Sequence, residues 1–114
     1  MKNKDVPQVS IADLQAYLAG HYGGWANEQG LFMKLVEEMG EVAEVLNKRS
    51  KRKAAGDEDL PAQLGEELAD MIHYIVAIAA INDIDLAGTI LEKDRRAAVK
   101  YNHAVDLLTF LSDR

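Results

Sequence analysis

Apolar positions step by threes and fours along almost the whole chain, the spacing of helices that each bury one stripe. Ile11, Leu14 and Leu18 define a first helix, with Ser10 as its N-cap, Asp13 at its third position and Gly20 as its end. The polar lead-in from Met1 to Val9, which holds Pro7, precedes it. Gly23-Gly24-Trp25-Ala26-Asn27-Glu28-Gln29-Gly30 reads as a loop, because three glycines in eight residues punctuate any regular element. A second helix is predicted from about Leu31 to about Ser50, and a third from Pro61, behind the cap Asp59, to about Asn82. Between them lie the basic run Lys48-Arg49-Ser50-Lys51-Arg52-Lys53, read as a solvated helix end, and the polar Gly56-Asp57-Glu58-Asp59. Asn82-Asp83-Ile84-Asp85 breaks the third helix, and Asp85 caps a fourth from Leu86 to about Tyr101 with Leu86, Ile90 and Leu91 facing inward. Ala104 to Leu111 is apolar enough to dock as a short last helix. With no competing strand pattern, the expected fold is all-α, a four-to-five-helix bundle of helix-turn-helix pairs, forming one domain over residues 1–114.

One stretch is written twice. Leu35-Val36-Glu37-Glu38-Met39-Gly40-Glu41-Val42 recurs, with conservative changes, as Leu64-Gly65-Glu66-Glu67-Leu68-Ala69-Asp70-Met71. The ladders Leu35, Met39, Val42, Leu46 and Leu64, Leu68, Met71, Ile75 predict a buried stripe on each helix. At about 100° per residue, Glu38 and Glu67 then lie roughly 60–70° from their stripes, and Glu41 and Asp70 roughly 130° away on the same side. Two helices packed by these stripes bring four carboxylates to one flank of the seam. Four acids so placed repel one another unless a cation sits between them. Carboxylate oxygens without cysteine or clustered histidine suit Mg²⁺, or Mn²⁺. Gly40, costly inside a helix, suggests close approach of a backbone or ligand beside the acids. Lys34, four residues before Glu38, stands at salt-bridge spacing.

Composition narrows the classes. At 114 residues and 48% hydrophobic, the chain allows a real but modest core, so helices carrying an acid flank gain from oligomerisation. A net charge of −6 argues against general affinity for polymeric nucleic acid. Cysteine is absent, which removes disulfides, thiol catalysis and zinc-thiolate sites. The N-terminus lacks a signal-peptide core, and the longest apolar run, Ile75 to Ile81, is far shorter than a membrane span. The expectation is a cytoplasmic protein without a membrane partner.

Glu37-Glu38-x-x-Glu41 followed by Glu67-x-x-Asp70 resembles the EExxE…ExxD signature of the MazG-like all-α nucleoside triphosphate pyrophosphohydrolases, which include dCTP pyrophosphatases and dimeric dUTPases. The resemblance spans roughly Trp25 to Tyr101. It implies a homodimer or homotetramer that hydrolyses a (deoxy)nucleoside triphosphate between the α and β phosphates, with Mg²⁺, to a monophosphate and pyrophosphate. It further implies a house-cleaning role in the nucleotide pool. Carried across, the metal ligands fall on Glu38, Glu41, Glu67 and Asp70, and Glu37 supports a ligand or orients the attacking water. A C-terminal pattern resembling K-x-x-K-N-x-x-R-Y places Lys93, Arg96, Lys100 and Tyr101 on the triphosphate, with Ala97 where the family carries Asn. His21, Trp25 and Tyr74 occupy regions resembling the base and sugar pocket. The chemistry is consistent, since phosphoryl transfer rests on positioning and charge neutralisation, and no GxxxxGK[ST] loop offers a P-loop route.

Two other readings use the same residues. Asp70-Met71-Ile72-His73 supplies one acid-x-x-His pair of a carboxylate-bridged di-iron bundle, although such bundles need two. A non-catalytic dimeric helix module would leave the acids and the Lys93, Arg96 and Lys100 stripe as solvated faces.

Overall fold

The computed structural model describes residues 6–51 and 59–114, so the first half of the lead-in and the 52–58 part of the basic-then-acidic connection lie outside the described residues. Five helices account for the rest: α1 (Ile11–Tyr22), α2 (Glu28–Lys51), α3 (Leu60–Ile81), α4 (Leu86–Lys100) and α5 (Leu107–Ser112). The fold is all-helical, as the periodicity predicts.

Short polar side chains set where each helix begins. The Ser10 hydroxyl accepts from the Asp13 amide, Asp59 from Ala62, Asp85 from Gly88 and Asp106 from Thr109, at 2.9–3.1 Å. Asn27 does the same for Gly30 at 2.9 Å, which explains why α2 starts three residues before its expected beginning. The ends of α3 and α4 share one device without glycine. Asp83 (φ 54°) and Asn102 (φ 59°) adopt the left-handed conformation, and Ile84 and His103 donate their amides to Ala79 and Ala98. Two expected boundaries move. Gly20 does not stop α1, because it meets no neighbour and Tyr22, four residues after Leu18, is buried in the core. The last helix starts at Leu107 rather than Ala104, where the Asp106 cap and a 2.6 Å bond from the Leu107 amide to the Asp94 carboxylate fix it.

α3 is the centre. α2 packs along it and α1 crosses its C-terminal half, burying Leu18, Tyr22, Leu31, Val76, Ala77 and Ala80 together. α2 and α3 run antiparallel, since Asn82 at the end of α3 donates to Glu28 at the start of α2 while Glu38 meets Glu67 midway. α4 leaves α3 at 105° and packs on α1, and α5 packs on α4. Ile90, expected to face inward, lines an open groove between α1, α4 and α5 instead. Among the described residues no single helix is long and apolar enough to cross a membrane.

Only half of each twice-written ladder is buried. Leu35, Val42, Leu64 and Met71 are half-buried in the α2–α3 seam, but Met39 (50% exposed), Leu46 (46%), Leu68 (44%) and Ile75 (41%) lie outside it. The seam instead follows Leu31, Leu35, Glu38, Val42, Val45 on α2 and Leu60, Leu64, Glu67, Met71 on α3, each stepping by four and three. The cause is geometric: a 3.6-residue helix carries two adjacent apolar stripes here, and the ladders run diagonally across both. Leu18, fully buried at the α1–α3 contact, anchors the core. Leu18→Ala is expected to cost about 2–5 kcal/mol and Asp85→Ala about 1 kcal/mol. Urea unfolding at one protein concentration checks both, and equal effects would contradict this account of the core.

Candidate metal centre

The seam that joins α2 to α3 carries two acids inside it. Glu38 and Glu67 are half-buried at facing positions, and Asp70, one turn beyond Glu67, projects beside them. One carboxylate oxygen from each of Glu38, Glu67 and Asp70 lies within 4.8 Å of the others. The Glu67 carboxyl shares a hydrogen bond with Glu38, and with burial and the charges of Glu38, Glu41 and Asp70 this pushes it up to about 7. A proton shared between two carboxyls relieves the repulsion that a cation could relieve instead. The donor set is three hard oxygens with a fourth carboxylate, Glu41, near enough to be felt by Glu67 and exposed to solvent. That set fits a hard divalent cation and suits neither zinc nor copper.

The other expected residues distribute unevenly around this centre. Glu37 is turned away from it, its carboxylate 3.6 Å from the Lys34 ammonium. Lys34 thus pairs with Glu37 rather than Glu38, which leaves Glu38 to the cluster. Gly40 faces open space: a methyl group added there would meet nothing within 4 Å, so no other part of the described chain approaches it closely. Lys93, Arg96, Lys100 and Tyr101 line a separate concavity of about 240 Å³ on α4. Arg96 leans toward Glu92 at 3.8 Å, and the Lys100 ammonium sits 5.3 Å from the Tyr101 ring centre. From Asp70 to the end of α3 is about 17 Å, and Lys93 lies about 10 Å along α4 after the 105° bend. Within one chain, then, the backbone of these cations stands on the order of 15–25 Å from Asp70.

His21, Trp25 and Tyr74 belong to one connected group of rings at the α1–α3 junction. His21 and Trp25 each meet Tyr22 edge-on, at 4.8 and 5.1 Å between ring centres, and Tyr74 meets His73 at 4.9 Å. Tyr22, which sequence reasoning left without a role, and His73, weighed there only as a di-iron ligand, close the group through a 2.7 Å hydrogen bond. A signal for Tyr22 existed, since it continues the Ile11, Leu14, Leu18 ladder by four. His73 engages Tyr22 through Nε2 and is not among the three residues whose ligand atoms converge.

A family model describing the MazG nucleotide pyrophosphohydrolase domain matches residues 26–101. The matched span holds all five acids, the α4 cations and Tyr74, and begins just after Trp25. A search of the curated proteins finds no match to the chain.

The raised Glu67 carboxyl sets a pH dependence with a definite sign. A group held at about 7 in the fold against an ordinary 4.5 contributes stability below pH 4.5 that is lost as pH rises through about 7. In chelator, the melting temperature should therefore fall between pH 5 and pH 8, and Glu67→Gln should flatten that fall. Added Mg²⁺ or Mn²⁺ should raise the melting temperature more at pH 8 than at pH 5, where protons compete for the same oxygens. A metal response independent of pH would contradict the site.

Proposed function

The chain belongs to the MazG nucleotide pyrophosphohydrolase family, and on that premise we propose that it is a Mg²⁺-dependent enzyme cleaving (deoxy)nucleoside triphosphates between the α and β phosphates. Water adds across the anhydride and the products are a nucleoside monophosphate and pyrophosphate. The observation that carries this reading is the convergence of Glu38, Glu67 and Asp70 within 4.8 Å across the α2–α3 seam. In this reading the whole chain, residues 1–114, is one catalytic domain working on the cytoplasmic nucleotide pool.

Glu38, Glu67 and Asp70 would hold the cation, with Glu41 completing the set from the solvent side. When bound, Mg²⁺ neutralises phosphate oxygens and acidifies a water. The chain's own residues position the rest. Glu37, tied to Lys34 on the solvent face, has a supporting part in this scheme rather than a ligand's part. Lys93, Arg96, Lys100 and Tyr101 present cations and a phenol to the triphosphate, and the rings of His21, Trp25 and Tyr74 offer flat faces to base and sugar.

The separation of α4 from the acids is consistent with a homo-oligomer in which a second copy supplies what one chain leaves apart. Two observations support that assembly. Met39 and Leu46 on α2 and Leu68, Ile72 and Ile75 on α3 are largely exposed. In an antiparallel pair, positions just past the seam on both helices point to one side and Glu41 and Asp70 to the other, so these residues form one apolar face. The Cα radius of gyration is 17.4 Å, against about 13 Å for a compact chain of this length. The same face would also serve a non-catalytic helical dimer, which predicts no turnover and no Mg²⁺ response.

A panel of ribo- and deoxyribonucleoside triphosphates with Mg²⁺ should yield monophosphate and pyrophosphate. Release of orthophosphate and diphosphate would contradict the proposal. Asp70→Asn should lower kcat by about 100-fold or more with helicity retained, and Lys93→Ala should chiefly raise KM. Leu68→Glu is expected to shift the oligomer toward monomer in sedimentation; an unchanged mass would move the interface elsewhere.

A further inference from the structure

The three rings assigned to the base and sugar pocket form a connected wall only through Tyr22 and His73. Tyr22 is buried at the end of α1, and its ring meets both His21 and Trp25. His73 stands on α3 three residues after Asp70, and its ring meets Tyr74 at 75°. The Tyr22 hydroxyl and His73 Nε2 join the two halves at 2.7 Å across 51 residues of sequence. Trp25 sits on the loop after Gly24, itself at φ 85°, it is 50% exposed, and its described contacts are the Tyr22 ring and a 2.9 Å bond from its amide to the Tyr22 carbonyl. Burial, with Tyr74 adding to it, pushes the Tyr22 hydroxyl above its ordinary range, so the phenol stays protonated and can donate to a bare Nε2 or accept from Nε2–H, according to the imidazole tautomer.

We propose that the Tyr22–His73 hydrogen bond is a positioning device that ties the loop bearing Trp25 to the metal-bearing helix α3, and so sets affinity for the nucleoside part of the substrate. The proposal rests on the nucleotide-hydrolase reading above. Neither residue acts on the phosphates, so the pair governs KM and leaves kcat unchanged. A ring held in place before the ligand arrives loses little freedom on binding, and one left on a glycine-rich loop loses more.

Trp25 is the only tryptophan, so its emission reports the pair directly and without substrate. Tyr22→Phe keeps the ring and removes the bond. It should add a fast component to the time-resolved anisotropy of Trp25 in the ligand-free protein, and raise KM about five-fold at constant kcat. His73→Leu should act alike. His73→Gln, whose side-chain amide reaches the position of Nε2 and can donate or accept there, should restore both readouts when Tyr22 is present and neither when it is combined with Tyr22→Phe. Unchanged anisotropy in Tyr22→Phe would overturn the proposal, as would a fall in kcat in place of a rise in KM. A wild-type chain without nucleotide turnover would overturn the functional reading and the affinity role with it, while the anisotropy would still decide whether the bond holds Trp25.

Discussion

Mutual repulsion among carboxylates held by a helix seam is the constraint around which this structure is arranged. Apolar residues close the α2–α3 seam on either side of Glu38 and Glu67, with Leu35 and Val42 on one helix and Leu64 and Met71 on the other. The packing that stabilises the hairpin therefore forces two acids toward each other, and Asp70 joins them one turn on. A shared proton on Glu67 and a divalent cation are alternative ways to satisfy the same oxygens. Stability and metal affinity are thus drawn from one place, with opposite dependence on pH.

The remaining parts of the proposed machinery sit on elements that α3 organises but does not bring to the acids. α4 turns away by 105° and carries its cations on an outer face. The aromatic group gathers where α1 meets α3, held by buried Tyr22. The apolar face of the α2–α3 hairpin stays open on the side opposite Glu41 and Asp70, and the α4 cations stand apart from the acids, which accords with the oligomer proposed above. The family to which the chain belongs supplies the proposed chemistry, and the carboxylate cluster supplies its physical basis.

The repeat of acids, the all-helical class and the capping residues were legible because they depend on interactions within a few residues. Ser10, Asp59 and Asp85 cap the helices expected of them, and Asn82-Asp83-Ile84 ends α3. Errors arose where a local signal met a distant partner. Gly20 reads as a stop, yet burying Tyr22 against α3 outweighs the roughly 1 kcal/mol that a helical glycine costs. The ladders through Met39, Leu46, Leu68 and Ile75 read as core, yet each helix has apolar residues on two neighbouring faces, and only the partner helix selects one. Lys34 could pair with Glu37 or Glu38 by spacing, and the position of Glu38 in the seam decides for Glu37.

By itself, then, the sequence determined the helices, their caps and the phase of the acids along each of them, because backbone geometry and side-chain spacing fix those within one segment. Which acids meet, which apolar stripe is covered, and that Tyr22 reaches His73 across 51 residues were decided only by tertiary packing. The physical reason is that a helix specifies the directions of its side chains but not the neighbour they face. That choice depends on how α1, α2 and α4 are set around α3.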